Sequence, residues 1–135
     1  MISILLPVFN TAKYLSECLF SIQSQTETNW ELLAVDDFST DQSLEILNAF
    51  AKKDTRINVF KNTEKGIIPA LRLAFKKSNG KFITRMDSDD KMMPQKLEIL
   101  KALLQKKGNG HIATACVKYF AEEGLKEGTN AMKNG

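Results

Sequence analysis

Residues 81–90, KFITRMDSDD, decide the fold of this chain. The first half is apolar and prone to form a β-strand, and the second half carries Asp87, Asp89 and Asp90. A buried strand that ends in acid is typical of a parallel sheet, whose carboxyl edge opens into a ligand-binding crevice. Carboxylates this close repel one another unless a cation lies among them. The stretch therefore predicts a site for Mg²⁺ or Mn²⁺, with an acidic turn before the next helix as the plain alternative.

The composition of the 135-residue chain is that of an ordinary globular domain, with 43% apolar and 26% charged residues. A formal net charge of +3 without an aromatic-rich basic patch gives no reason to expect a nucleic-acid partner. Cys18 and Cys116 have no histidine or cysteine at metal-binding spacing, which favours buried thiols in a reducing compartment. The apolar opening is broken by Pro7, so we predict a cytoplasmic protein without a transmembrane segment.

Strand and helix patterns alternate along the chain. Alternation at this spacing implies right-handed crossovers and a doubly wound, mainly parallel α/β sheet with helices on both faces. Asn10 or Thr11, Ser39 with Gln42, and Pro94 are predicted helix starts, and Gly80 is a predicted left-handed cap. The predicted strands are residues 2–6, 30–35, 57–60, 82–86 and 111–120.

Polar residues follow the first, second and fourth predicted strands. In the common strand order 3-2-1-4, the first and fourth strands are neighbours at the point where the winding reverses, and ligands bind there. The residues expected to converge are Pro7-Val8-Phe9-Asn10, Asp36-Asp37 and Asp87-Ser88-Asp89.

This predicted crevice has carboxylates but no glycine-rich phosphate loop, so phosphates would be held through a metal ion. Asp87 and Asp89 could hold a cation that bridges a diphosphate, while Asp37 could accept hydrogen bonds from a base or ribose. The pattern is that of a nucleotide-sugar site.

Several separately spaced stretches resemble the family 2 glycosyltransferases over roughly residues 1–120. They are SILLPVFN at residues 3–10, WEL at 30–32, VDDFSTD at 35–41, GKFI at 80–83 and MDSDD at 86–90 with Pro94. The resemblance implies the GT-A fold, a Rossmann-like nucleotide-binding half, a nucleotide-sugar donor and a divalent metal. Phe38 stands where the family usually has glycine, so we expect that turn to be built differently.

The resemblance also implies roles by position. Pro7 and Phe9 border the nucleobase, Asp37 contacts it, Asp87 lies toward the ribose and diphosphate, and Asp89 binds the metal together with Asp87. Val8, Asn10 and Ser88 complete the predicted nucleotide-sugar site.

The family places its catalytic acid well beyond the Asp-x-Asp motif, in an acceptor-binding half that we expect this chain to lack. Residues 1–120 are predicted to be the nucleotide-sugar-binding portion and residues 121–135 a polar tail in which Glu122, Glu123 and Glu127 are solvated. No catalytic base is therefore assigned, and the sugar and the oligomeric state stay open.

The expected function is transfer of a sugar, with inversion, from a UDP-linked donor to a glycan or lipid-linked acceptor in cell-surface polysaccharide synthesis. Peripheral association of the full-length protein with the inner face of the membrane stays open. The alternatives are a sugar nucleotidyltransferase, a Mg²⁺-dependent phosphoacceptor signalling domain and an inactive nucleotide-sugar-binding remnant. A nucleotidyltransferase would carry a glycine-rich, arginine-containing loop after the first strand, and a phosphoacceptor domain would place its acidic pair there rather than after the second strand.

Overall fold

A computed structural model of the chain describes residues 1–107. Strands and helices alternate as the sequence predicts, and the doubly wound α/β fold is confirmed. The predicted fifth strand, residues 111–120, the tail, residues 121–135, and Cys116 lie outside the described residues. The elements are β1 (Ile2–Val8), α1 (Ala12–Gln23), β2 (Trp30–Asp36), α2 (Ser43–Lys53), β3 (Ile57–Lys61), α3 (Ile67–Lys77), β4 (Phe82–Arg85) and α4 (Lys96–Lys107).

The four described strands form one parallel sheet in the order β3-β2-β1-β4, as predicted. Val8 at the end of β1 pairs with Asp36 at the end of β2, and Leu5 pairs with Arg85 at the end of β4. The carboxyl ends of these three strands therefore meet at one edge, where β1 separates the two directions of winding.

Helices cover both faces of the sheet because successive strand residues point to opposite sides. On one face, Ile4 and Leu6 of β1 belong to a buried cluster that includes residues of α1 and α4. On the other face, Leu5 lies with Ala70 and Ala74, whose small side chains belong to α3. Burial on both faces explains the continuous apolar runs of β1 and β2. No helix within residues 1–107 combines the length and apolar character needed to cross a membrane.

The predicted helix caps are confirmed only in part. Thr11 is the N-cap residue of α1, as predicted, but the hydroxyl groups of Thr11 and Ser39 make tertiary contacts and not capping bonds. Thr11 and Gln42 are the N-cap residues of α1 and α2, but neither side chain makes a capping hydrogen bond. The Ser39 hydroxyl instead accepts a hydrogen bond from the Asn10 backbone N–H at 2.9 Å. Helix α4 begins at Lys96 rather than at Pro94.

Gly80 is required for close packing rather than for a left-handed cap, which corrects the prediction. Among the glycines of the described part, only Gly66 has a positive φ, 129°. A Cβ on Gly80 would lie 2.5 Å from the Ser3 hydroxyl oxygen and 2.8 Å from the Met1 carbonyl oxygen. The Gly80 N–H donates to Ser3 Oγ at 2.8 Å, and Ser3 donates to the buried Glu31 carboxylate at 2.6 Å. This network fixes the start of β4 against β1 and β2.

Candidate functional site

A cavity of about 270 Å³ opens at the carboxyl edge of the sheet. It contains every sequence-predicted site residue except Asn10. It adds Thr11 and Ile67, whose side chains carry no pattern in the sequence that indicates a site. The lining residues are Pro7, Val8, Phe9, Thr11, Asp37, Ile67, Asp87, Ser88 and Asp89.

Asp37 is held rigidly at one side of this cavity. Its side chain is buried, with 8% of the residue exposed. Oδ1 accepts hydrogen bonds from Asn62 Nδ2 at 3.0 Å and from the Gly66 N–H at 2.9 Å, and Oδ2 lies 3.1 Å from the same N–H. The donors concentrate on Oδ1, so Oδ2 keeps acceptor capacity for a ligand.

Asn10 acts on the neighbouring loop instead of lining the cavity. It adopts a positive φ of 48°, which asparagine tolerates better than most residues. Its Oδ1 accepts hydrogen bonds from the backbone N–H groups of Thr40 at 2.7 Å and Asp41 at 3.3 Å. Together with the Asn10 N–H to Ser39 bond, these contacts tie the loop after β1 to the loop after β2.

Phe38 lies in the loop that Asn10 secures. Its φ is 59°, in the left-handed region that favours glycine. Phe38 nevertheless remains 49% exposed. The turn is thus built with a bulky residue in a backbone conformation that such residues seldom adopt.

Three carboxylates cluster at the end of β4. Oxygen atoms of Asp87, Asp89 and Asp90 all lie within 4.8 Å of one another, which adds Asp90 to the two predicted ligands. Asp90 donates its backbone N–H to the Asp87 carbonyl at 3.1 Å, closing the turn that gathers them. Arg85 contacts the cluster from the strand, with Nη2 3.1 Å from Asp87 Oδ1. A set of hard oxygen donors this close together fits a divalent cation such as Mg²⁺ or Mn²⁺.

Ser88 and Cys18 make partly buried contacts that hold the acidic turn, residues 87–90, in place. Ser88 is buried and accepts a hydrogen bond from the Thr11 hydroxyl at 2.8 Å. The Cys18 thiol lies 3.7 Å from the Asp87 carbonyl oxygen. Burial raises the pKa of Cys18 to about 12, and the negative charges of Asp90, Asp89 and Asp87 add to that rise. Cys18 is therefore a neutral buried thiol, as the sequence predicts, and not an anionic ligand.

Ser21 in the last turn of α1 and Gln25, just after α1, bind the segment that follows the acidic turn. The Ser21 hydroxyl accepts the Met92 N–H at 2.9 Å. The buried Gln25 side chain donates to the Met93 carbonyl at 2.6 Å and accepts the Leu97 N–H at 3.0 Å. Because these bonds join positions about seventy residues apart in sequence, the pattern of the sequence alone could not predict them.

Comparisons with known proteins show which proteins the chain resembles. A family model described as glycosyl transferase family 2 matches residues 3–134. The chain is 40% identical over 108 residues to the glycosyltransferase GlyG of Streptococcus pneumoniae, covering 79% of this chain and 36% of GlyG. It is 31% identical over 135 residues to a chondroitin synthase of Escherichia coli, covering 100% of this chain and 19% of that protein.

A solved structure shows the same fold. The structure of S. aureus TarS 1-349 in complex with UDP matches with a TM-score of 0.72 and 29% identity, covering 78% of this chain and 32% of TarS. The chain thus spans about a third or less of the length of each of these proteins.

Proposed function

The chain belongs to the family 2 glycosyltransferases, and on that basis we propose that it carries the donor-binding part of an inverting enzyme that transfers a sugar from a UDP-linked donor. The observation that carries this proposal is the cavity that joins the secured Asp37 carboxylate to the Asp87 and Asp89 pair. One end offers an acceptor for the N–H of a base, and the other offers ligands for a diphosphate-bound cation. TarS, which was solved with UDP, supports uracil as the base.

At the base end, Pro7, Val8 and Phe9 supply apolar contact and Asp37 supplies polar recognition. Uracil presents an N–H between two carbonyl oxygens, and Asp37 Oδ2 is the atom with capacity to accept it. Because the Asn62 and Gly66 bonds already fix the carboxylate, little side-chain entropy is lost when a ligand binds.

At the diphosphate end, Asp89 and Asp87 would hold Mn²⁺ or Mg²⁺, and Asp90 lies within the same group. A bound divalent ion supplies Lewis-acid stabilisation of the charge that develops on a departing nucleoside diphosphate. The chain's own part is to position these ligands. Arg85 restrains Asp87, and the Thr11 to Ser88 bond holds the turn from within the protein.

Inverting transfer also needs a general base that takes the proton of the acceptor hydroxyl. We assign this role to no carboxylate of residues 1–107. Asp37 accepts hydrogen bonds from its loop, and Asp87 and Asp89 are the proposed metal ligands. Glu98 on α4 accepts a hydrogen bond from the Thr26 hydroxyl at 2.6 Å. Glu122, Glu123 and Glu127 lie outside the described residues. The proposed acceptor is a glycan or lipid-linked saccharide of a cell-surface polysaccharide, in line with the chondroitin synthase relative.

The proposal is tested by measuring nucleotide release from UDP-sugars in Mn²⁺, with and without saccharide acceptors. The 135-residue chain is compared with a chain extended downstream, and with Asp89→Asn in both. We expect the short chain to bind donor and release UDP slowly, and the extended chain to show acceptor-stimulated turnover that Asp89→Asn removes.

Glu45→Gln, which removes a carboxylate from the exposed face of α2, is the matched control and should leave release unchanged. Acceptor-stimulated turnover by the 135-residue chain at the rate of the extended one would show that the base lies within residues 1–135, and Glu122, Glu123 and Glu127 would then become candidates. Donor binding without turnover by either chain would favour the inactive remnant instead.

A further inference from the structure

The contacts of Phe38 within the protein do not explain why a bulky residue occupies this backbone conformation. A left-handed φ of 59° destabilises a residue that carries a Cβ, and glycine would avoid this cost. Phe38 is 49% exposed, so the free energy gained by burying its ring offsets only part of that cost. Outliers of this kind concentrate at ligand-binding sites, where the ligand accounts for the residue.

Phe9 and Phe38 have a common neighbour, the ammonium group of Lys65. Phe9 lines the cavity at the end of β1 and is 47% exposed. The ammonium group of Lys65 lies 4.2 Å from the centre of the Phe9 ring and 6.0 Å from the centre of the Phe38 ring. A flat group that displaced this ammonium group would therefore come close to both rings.

Lys65 also adjoins a residue that binds the Asp37 carboxylate. Lys65 directly precedes Gly66, whose N–H donates to both oxygens of Asp37. The Asn10 bonds to residues 39–41 hold the loop that carries Phe38 beside the loop that carries Phe9. A group that displaces the Lys65 ammonium from the two rings would therefore lie near the loop that holds Asp37 and could present its edge to that carboxylate.

We propose that Phe38 is a further nucleotide-binding residue of the donor site, the second aromatic contact of a nucleobase subsite whose first aromatic contact is Phe9. The base takes the position that the Lys65 ammonium holds beside the two rings and directs its N–H to Asp37. Exchange of a cation–π contact for base stacking suits a surface-exposed lysine, because its ammonium is readily solvated. This inference rests on the proposed function and deepens it.

The test measures binding of UDP and of GDP in Mn²⁺ by titration calorimetry and follows the tighter of the two. Phe38→Leu keeps an apolar side chain but removes the aromatic face, and Phe38→Gly also relieves the backbone. Phe75→Leu is the matched control, because Phe75 is a similarly exposed phenylalanine of α3. Lys65→Gln removes the ammonium.

We expect Phe38→Leu and Phe38→Gly each to weaken binding about fivefold or more, while thermal melting shows both to be folded and Phe75→Leu binds like the parent. Lys65→Gln should bind at least as tightly as the parent, because the base no longer displaces a cation.

Parent-like binding by both Phe38 variants would overturn the inference while leaving the proposed function intact. Tenfold weaker binding by Lys65→Gln would overturn the claim that the base displaces the Lys65 ammonium, since Lys65 would then bind the nucleotide itself. A parent chain that binds neither nucleotide would overturn the proposed function and this inference together.

Discussion

The substitution Asp37→Asn distinguishes the two proposed roles of Asp37. One is to bind the loop of residues 62–66, and the other is to accept a hydrogen bond from the base. Asp37→Asn keeps Oδ1, which receives both Asn62 Nδ2 and the Gly66 N–H. The amide cannot turn around, because an NH₂ group in that place would face two donors. The new NH₂ therefore takes the position of Oδ2, where it faces the N–H of the base and replaces the longer, 3.1 Å acceptor contact to the Gly66 N–H.

The expected loss follows from that donor-to-donor contact. An unpaired buried donor costs about 1–3 kcal/mol, so UDP should bind about 5- to 150-fold more weakly to Asp37→Asn. The free energy of unfolding should fall by about 1 kcal/mol, because the loop keeps Oδ1 as its main acceptor and loses only the longer contact of the Gly66 N–H to Oδ2. Asp37→Ala removes the acceptor as well and should lose about 2–3 kcal/mol of stability.

Calorimetry with UDP in Mn²⁺, and with UMP in chelator, distinguishes the base from the metal. The Asp37→Asn loss should persist in both titrations, since the contact does not involve the cation. Asparagine binding as tightly as aspartate would refute the reasoning. A loss confined to Mn²⁺ would move Asp37 into the metal shell.

The remaining predictions concern the scaffold. Gly80→Ala should destabilise the chain by about 1–3 kcal/mol in urea, because the new methyl group collides with Ser3; an unchanged midpoint would contradict the close packing. The side-chain hydrogen bonds from Arg56 lower the pKa of Asp54 from 3.8 to about 2, so about 1–2 kcal/mol of stability is present above pH ~4 and lost as the pH falls through ~2. Asp54→Asn should flatten urea midpoints between those pH values, and a slope equal to that of the parent would count against the ion pair. Phe38→Gly should raise stability by up to about 1 kcal/mol by relieving the left-handed backbone; a loss of that size would show that the ring has a packing role.

The sequence predicted the sheet and the residues around the cavity because these depend on local pattern. Apolar runs that end at Pro7, Asp36 and Asp87 place polar groups at strand ends, and the rule for parallel sheets then brings those ends together. Thr11 and Ile67 were not predicted, because their side chains carry no chemical signal of a site.

The roles of Asn10, Gly66 and Gly80 could not be predicted, because each depends on partners distant in sequence. Asn10 contacts backbone thirty residues away, Gly66 donates to Asp37, and Gly80 lies against Ser3. A glycine or asparagine in a loop is most simply interpreted as a turn or a cap. For Gly80 that interpretation was wrong, since the backbone of another strand lies where its Cβ would be.

The central claim is that the carboxylates at the end of β4 bind the donor through a divalent cation. The most direct measurement is the affinity of UDP for the parent, Asp89→Asn and Glu45→Gln, each titrated in Mn²⁺ and in chelator. We predict that Mn²⁺ tightens binding to the parent and to Glu45→Gln, and that Asp89→Asn loses most of this gain while matching the parent in chelator. Equal binding of UDP by the parent and Asp89→Asn in Mn²⁺ would contradict the claim.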